Sequence, residues 1–392
     1  MISVAEALER LLSLAAPLAS EEVPLADAAG RVLLGEVQAT RAQPPFTASA
    51  MDGYAVAGDP QPGETRTVIG EAQAGGAWTG RIGPGEAVRI FTGAPLPEGA
   101  DRVVIQENVT LTPEGITVTE TSPTAHIRRA GTDFAAGHRF SGPRLLRPAD
   151  LALLAAMNVA RPQVARRPVV ALIATGDELV LPGETPREDQ IICSNTFAIK
   201  AMAEAAGAKV RLMPLARDRV EALRDVIGLA ADADVIVTIG GASVGDHDLV
   251  AGVARDMGVD MAFHKVALRP GKPLMSGRLG GAVFLGLPGN PVSAIVCTHL
   301  FLLPLLRRLQ GLQDVAPKPR RAALAQPLEA NGNRAHYMRA VVEEGDTGPV
   351  IYAGDNQESA FLVPLSEANA LLLRPPHAPA AAAGAQALWL PI

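Results

Sequence analysis

The sequence predicts a multidomain α/β-plus-β protein. Its centre is a doubly wound, mostly parallel sheet, with an all-β domain before it and a small β domain at the C-terminal end. Three observations carry this. After Pro168, short apolar runs alternate with segments of helical spacing, the pattern of strand–helix–strand units. From about residue 44 to 139, and again past 316, brief β-type runs are divided by glycine and proline. Finally, 392 residues exceed what one compact core holds, since domains run to about 100–200 residues.

The chain opens on a helix, because Ser3 with Glu6 is a capping-box start and Leu8, Leu11, Leu12 and Ala15 recur at helical spacing. Residues 43–55 are irregular and proline-led and end in the turn Asp52-Gly53. A loop this specific in composition is more often functional than connective. Residues 87–91 and 103–106 read as strands of the first β domain, and 148–157 return to helical spacing. After Pro168 the expected strands are 169–174, 210–215, 235–239, 261–267 and 283–287. The expected helices are 194–206, closed by Gly207, then 219–231, 248–257 and one starting at Pro291. The apolar stretch 292–306 is interrupted by Ser293, Thr298, His299 and Pro304 and falls short of the ~20 residues of a membrane span, so it is expected as a buried helix. Residues 317–321, proline-rich and basic, read as a linker. Several short strands and an alanine- and proline-rich tail follow.

Composition narrows the function. A net charge of −6 gives no general basic field for nucleic acid, so any anion site is a local pocket. Two cysteines, Cys193 and Cys297, form neither a disulfide framework nor a metal-ligand spacing, and both sit in apolar surroundings as core residues. The N-terminus carries acidic residues where a signal peptide is basic. A reduced, cytoplasmic protein without membrane attachment is expected.

In a doubly wound sheet the ligand sits at the carboxyl ends of the strands. The loops expected there are 175–178, the turn at Asp218, 240–246 and 288–291. Residues 265–293 combine Lys265, Arg269 and Lys272 with a strand running into a helix start. There Asn290 suits the N-cap and Pro291 the first helical position, leaving free backbone donors near Gly289 and Val292. Such an end attracts oxyanions, and Ser293 and Pro288 flank it. The same segment also reads as a stiff surface turn with solvated lysines. Gly240, Gly241, Ser243 and Gly245 let backbone amides approach a phosphate, or simply make a tight turn; the run has neither Walker nor dinucleotide spacing. Asp177, Glu178, Asp218, Asp246 and Asp248 fall near strand ends or the following helix starts. Carboxylates beside phosphate can hold Mg²⁺, with Glu178, Asp218 and Asp246 as the candidate ligands, or they can cap helices. Ser194 and Asn195 open a helix, as caps or as hydrogen-bond donors to a heterocycle or phosphate. His247 and His264 lack a partner at metal-site spacing and read as structural.

The motifs Pro44-Pro45-Phe46, residues 49–55, Thr92-Gly93-Ala94, Thr175-Gly176-Asp177-Glu178-Leu179, 240–246, Pro270-Gly271-Lys272-Pro273 and 286–291 together resemble the molybdopterin molybdenumtransferase (MoeA) family, related to the E domain of gephyrin. The match runs in order over essentially the whole chain. The resemblance implies a molybdopterin-binding type of α/β domain in an elongated, four-domain homodimer: residues 1–43 with 140–167 as one discontinuous domain, 44–139 as an inserted β domain, 168–316 as the α/β domain and 317–392 as the C-terminal β domain. It implies Mg²⁺-dependent insertion of molybdate into adenylylated molybdopterin with release of AMP. The acidic positions carried over are Asp52, Asp133, Glu178, Asp218 and Asp248, with Thr92, Lys265 and Arg269 also in the site. Arg269 stands where lysine is common, keeping the charge but with forked geometry. Glu358-Ser359 stands where the family often has Gly-Ser. Asp52 and Asp133 are far in sequence from the α/β sheet, so the expected site is a cleft between domains. Molybdopterin adenylyltransferase and molybdoenzyme maturation proteins are the implied partners. The rival readings are molybdopterin adenylylation, against which the Asp52-bearing domain argues, and a non-catalytic scaffold, against which Asp52, Glu178, Asp218 and Asp248 argue.

Overall fold

The computed structural model describes residues 1–241, 249–346 and 348–392. They divide into two compact units. One comprises Met1–Glu21, Gly30–Leu34 and Val164–Ile392; the other comprises Glu22–Ala29 and Gly35–Gln163.

The first unit is built on a six-stranded sheet in the order Lys209–Leu212, Val169–Ala174, Val235–Ile239, Ala282–Leu287, Met275–Leu279, Asp260–His264. The first four strands are parallel. Met275–Leu279 is reversed and pairs antiparallel with both Ala282–Leu287 and Asp260–His264, so the strand near 261–267 keeps the common direction but does not join the sheet by the parallel pairing that the strand–helix alternation led one to expect. Each central strand is buried on both sides. Val170, Leu172, Val235 and Val237 pack on one face with Ile199 of the Asn195–Ala205 helix and Val296 of the helix starting at Pro291. Ala171, Ile173, Ile236 and Phe284 pack on the other with Leu223 and Val250, from the Val220–Leu229 and Leu249–Asp256 helices. The period-two alternation thus feeds two cores, as a doubly wound sheet requires.

The opening helix, Val4–Ser13, starts where expected: Ser3 Oγ accepts the Glu6 N–H at 3.1 Å. Glu6 does not complete the reciprocal box and pairs with Arg10 at 2.6 Å. The apolar helix extends beyond 292–306 to Pro291–Leu309 and is long and apolar enough to cross a membrane by length and composition. It serves here as a core helix, with Val296, Phe301, Leu302, Leu305 and Leu306 fully buried. Cys297 is also fully buried, and burial pushes its thiol far up, so it is inert.

Beyond the helix, Arg320–Leu324, Ala335–Gly345, Gly348–Ala353, Ala370–Arg374 and Gln386–Pro391 close into a barrel, because Ala335–Gly345 pairs with both Gly348–Ala353 and Ala370–Arg374. Two expectations are corrected. Arg320 and Arg321 belong to a barrel strand and not to a linker, and the chain finishes in the strand Gln386–Pro391, not in a tail. The barrel also recruits a distant strand. Leu268–Arg269 pairs in parallel with its long strand, Arg269 opposite His336.

The second unit holds a six-stranded sheet in the order Arg102–Ile105, Gly53–Val56, Glu86–Ile90, Thr65–Ala72, Gly115–Val118, Val109–Thr112. Ala55, Val88 and Val103 pack on one face, Tyr54, Val56 and Val104 on the other. Gly53 is required where it stands: a Cβ there would lie 2.0 Å from the Val104 carbonyl oxygen.

Candidate functional site

In the first unit the chain leaves the Val169–Ala174 strand to one side, for Lys209–Leu212, and returns on the other, for Val235–Ile239. This reversal opens a crevice at the carboxyl ends of the strands. A cleft of about 1090 Å³ lies there. Thr175 and Gly240 form its floor. The Thr175 N–H donates to Ile239 O at 3.0 Å and the Gly240 N–H to Leu287 O at 3.1 Å, so each turn starts directly off the sheet. Gly240 has φ of +99°, and a Cβ there would meet the Thr175 carbonyl at 2.7 Å. Gly289 packs on it, its own would-be Cβ 3.3 Å from Gly240 Cα. Two glycine turns therefore present bare backbone to one cleft.

Glu178 and Asp218 line the same cleft, and both are exposed. The helix that follows Asp218 has Arg219 as its N-cap with no side-chain cap bond, so the capping alternative for Asp218 is not realised. Asp177 instead accepts the Asp218 N–H at 3.3 Å. Ser194, Asn195, Gly241, Pro288, Pro291 and Ser293 also line the cleft. Asn195 Nδ2 donates to Gly289 O at 2.7 Å, pinning the glycine turn to a second helix start. Ser243, Gly245, Asp246 and Asp248, and His247 with them, lie outside the described residues.

The helix start at Pro291 departs from expectation. Asn290 is the N-cap residue but makes no side-chain cap bond. Its amide donates to Ser359 Oγ at 2.8 Å, and the Val292 N–H donates to Ser359 O at 3.1 Å. A barrel loop therefore occupies one of the backbone donors expected to be free, and Ala360 of that loop lines the cleft.

Lys265, Arg269 and Lys272 are not among the cleft-lining residues, although Pro273 is. Arg269 stands on the barrel edge beside buried His336. Burial, then the charges of Arg269, Arg334 and Arg339, push that imidazole down to about 4. Cationic charge is thus concentrated at this edge.

Sequence reasoning singled out the loop at 175–178 but not Thr175 itself. Its hydroxyl is buried at the cleft without a hydrogen-bond partner among the described residues. A threonine closing an otherwise apolar strand was the available signal.

In the second unit three motifs distant in sequence converge. Ser49 exchanges hydrogen bonds with the Thr92-Gly93-Ala94 turn: Gly93 N–H to Ser49 O at 2.9 Å and Ser49 N–H to Ala94 O at 3.0 Å. The Gly131-Thr132-Asp133 turn is stitched to the proline-led loop, Gly131 N–H to Pro44 O at 2.9 Å and Asp133 N–H to Gln43 O at 3.0 Å. Asp52 Oδ1 accepts both the amide and the hydroxyl of Thr92, each at 2.8 Å. The Thr92 amide, then its hydroxyl, hold the Asp52 carboxyl below the usual range, with Arg89 adding to them. Asp133 itself is exposed.

Known proteins resemble the whole of this arrangement. The family described as MoeA N-terminal region (domain I and II) matches residues 2–158, the probable molybdopterin binding domain matches 171–308, and MoeA C-terminal region (domain IV) matches 321–392. A molybdopterin molybdenumtransferase of Haemophilus influenzae is 37% identical over 375 residues, 92% of each chain. The chain belongs to the molybdopterin molybdenumtransferase family. It is accordingly an enzyme, a transferase of molybdenum cofactor biosynthesis. A second relative in this family, molybdopterin molybdenumtransferase 2 of Mycobacterium tuberculosis, is 37% identical over 93% of each chain. Among solved structures, a molybdopterin biosynthesis MoeA protein from Pyrococcus horikosii has a TM-score of 0.82 at 28% identity, covering 100% of this chain and 99% of its own.

Proposed function

We propose that the protein inserts molybdate into adenylylated molybdopterin, releasing AMP and molybdenum cofactor, as a cytoplasmic homodimer. The observation that carries this reading is the convergence of Glu178, Asp218 and the Gly240 and Gly289 turns on one cleft large enough for a nucleotide-bearing pterin. Glycine turns accept a phosphate closely, because no Cβ intervenes. The Asn195 bond to Gly289 keeps that approach open.

The donors in the cleft suit Mg²⁺. Glu178 and Asp218 are hard oxygen ligands, and Mg²⁺ usually takes one or two carboxylates, completing its shell with water and substrate phosphate. Asp246, the third candidate ligand, lies outside the described residues. Bound there, Mg²⁺ supplies Lewis-acid polarisation of the adenylate phosphoryl group. Glu178 and Asp218 position and do not attack. Molybdate, a small dianion, is drawn to the cationic edge at Arg269. Asp52, kept ionised by Thr92, acts as a fixed negative charge in the reaction, joined by Asp133.

Purified protein given adenylylated molybdopterin, molybdate and Mg²⁺ is expected to release AMP. Glu178→Gln and Asp218→Asn should lose this by about 100-fold or more while retaining the fold, and Arg269→Ala should raise the molybdate concentration needed. AMP release that proceeds equally without molybdate would sink the reading.

A further inference from the structure

Arg89 lies on the central Glu86–Ile90 strand of the second unit, half-buried, and its guanidinium reaches the Asp52 turn. Nη1 donates to Gly53 O at 3.1 Å and Nη2 to Gln106 Oε1 at 2.8 Å. The same group lies over two rings, 5.0 Å from the Tyr54 centroid and 4.7 Å from the Phe91 centroid. The positions are telling. Gly53 follows Asp52, and Phe91 precedes Thr92. Gln106 in turn donates its backbone N–H to the Asp52 carbonyl at 3.1 Å. One planar cation is thus fastened to a neighbour of each member of the Asp52–Thr92 pair and to the residue that holds the Asp52 backbone.

We propose that Arg89 is a positioning residue for the transferase reaction, locking the Asp52 carboxylate against Thr92 by bracing Gly53, Phe91 and Gln106 at once. This rests on the reading that Asp52 acts in the reaction. The geometry needs an arginine. A forked guanidinium makes two directed bonds while its faces stack on aromatic rings, and an ammonium makes the charge contact without the fork. Strand pairing alone does not fix the turn, because Asp52 and Thr92 lie just outside their strands, before Gly53 and after Ile90. Arg89 closes that gap. Glu107, which accepts from Gln106 Nε2 at 3.2 Å, is the nearby carboxylate on the far side of the brace.

The test uses the full-length protein with Arg89→Met and Arg89→Lys, each alone and combined with Asp52→Asn. Amide hydrogen exchange at Thr92 reads the lock directly, and steady-state AMP release reads its consequence. Arg89→Met is expected to speed Thr92 exchange about tenfold and to lower kcat by about 10–100-fold with little change in the KM for molybdate. Arg89→Lys should recover part of both, and it carries the test should the methionine variant fail to fold. In the Asp52→Asn background Arg89→Met should cost little more, because residues acting through one another are not additive. Unchanged Thr92 exchange in Arg89→Met, or an equal loss of kcat with and without Asp52, overturns the proposal. Faster Thr92 exchange alongside full activity in Asp52→Asn removes Asp52 from the reaction and leaves the brace standing.

Discussion

The side-chain amide of Asn290 donates to Ser359 Oγ at 2.8 Å, joining the N-terminus of a sheet helix to a barrel loop 69 residues away. The Val292 N–H adds a second bond to the Ser359 carbonyl. The helix end is therefore closed by the protein's own chain at one donor. It stays open to the cleft through Pro288–Pro291.

Removing the side-chain half of this tie should affect binding more than stability. Ser359→Ala keeps the backbone bond and loses one exposed hydrogen bond, worth about 0.5–1.5 kcal/mol at most. The expected outcome is a melting temperature lowered by a few degrees or less and a KM for the pterin substrate raised several-fold. Calorimetry and steady-state kinetics check it. A variant whose KM is unchanged would show that the loop edge does not touch substrate.

The same tie marks where sequence reading stops. The parallel strands were legible because a strand buried on both faces is a continuous apolar run, as at Val235–Ile239, and the switch-point crevice follows from that alternation. The barrel's use of Leu268–Arg269 was not legible. A two-residue strand has no period, and its partner lies in another layer of the fold. Capping residues misled for a related reason. Asn290 has the right type and place for an N-cap, yet its side chain donates through Nδ2 to a tertiary acceptor, Ser359 Oγ, and its oxygen accepts no local backbone N–H. Asp52 and Thr92 were both singled out, but nothing in their spacing said that they bond to each other.

That bond predicts a pH effect. The Thr92 amide and hydroxyl hold the Asp52 carboxyl below its unfolded value of about 3.9. The charged form thus persists to lower pH in the folded protein. Thr92→Val removes the hydroxyl and keeps the amide, so the folded pKa rises partway. The acidic limb of the kcat/KM profile is expected to move to higher pH, by less than in a variant that also displaces the amide. A limb that stays in place would mean that it reports another group.

Two histidines, His336 buried and His299 half-buried, predict acid lability of the first unit. Burial, then Arg307, pushes His299 down to about 4. Burial, then three arginines, does the same to His336. An unfolded imidazole titrates near about 6.5. Between these values the unfolded chain takes up protons that the folded chain refuses, so stability is present above about pH 6.5 and is lost as pH falls toward 4. Each group should cost about 1–2 kcal/mol between pH 7 and 5. Urea unfolding followed by Trp389 fluorescence, with Trp78 replaced by phenylalanine, should show this slope, and His336→Gln should remove about half of it. An unchanged slope would assign the lability elsewhere.

Arg339 gives the strongest expected effect on the barrel loop. Its side chain is 1% exposed. The guanidinium donates to Asn356 O at 2.7 Å and Phe361 O at 2.8 Å. Gln357 closes the arrangement, accepting the Arg339 N–H at 2.9 Å and donating to Arg339 O at 3.0 Å. Both ends of the segment carrying Ser359 are therefore fastened to one buried cation, to which no carboxylate is hydrogen-bonded among the described residues. A hydrogen bond from a charged donor contributes about 1.5–3 kcal/mol, so Arg339→Met should destabilise the first unit by about 2–4 kcal/mol. Arg339→Lys should restore little of this, because a single ammonium does not reach both carbonyls in the forked geometry. The effect should travel along the loop. Once Ser359 is no longer held, the Val292 N–H loses its acceptor, and its hydrogen exchange should rise even under conditions where the unit remains folded. If Val292 exchange follows only global unfolding in both variants, Arg339 stabilises the barrel without holding the edge of the cleft.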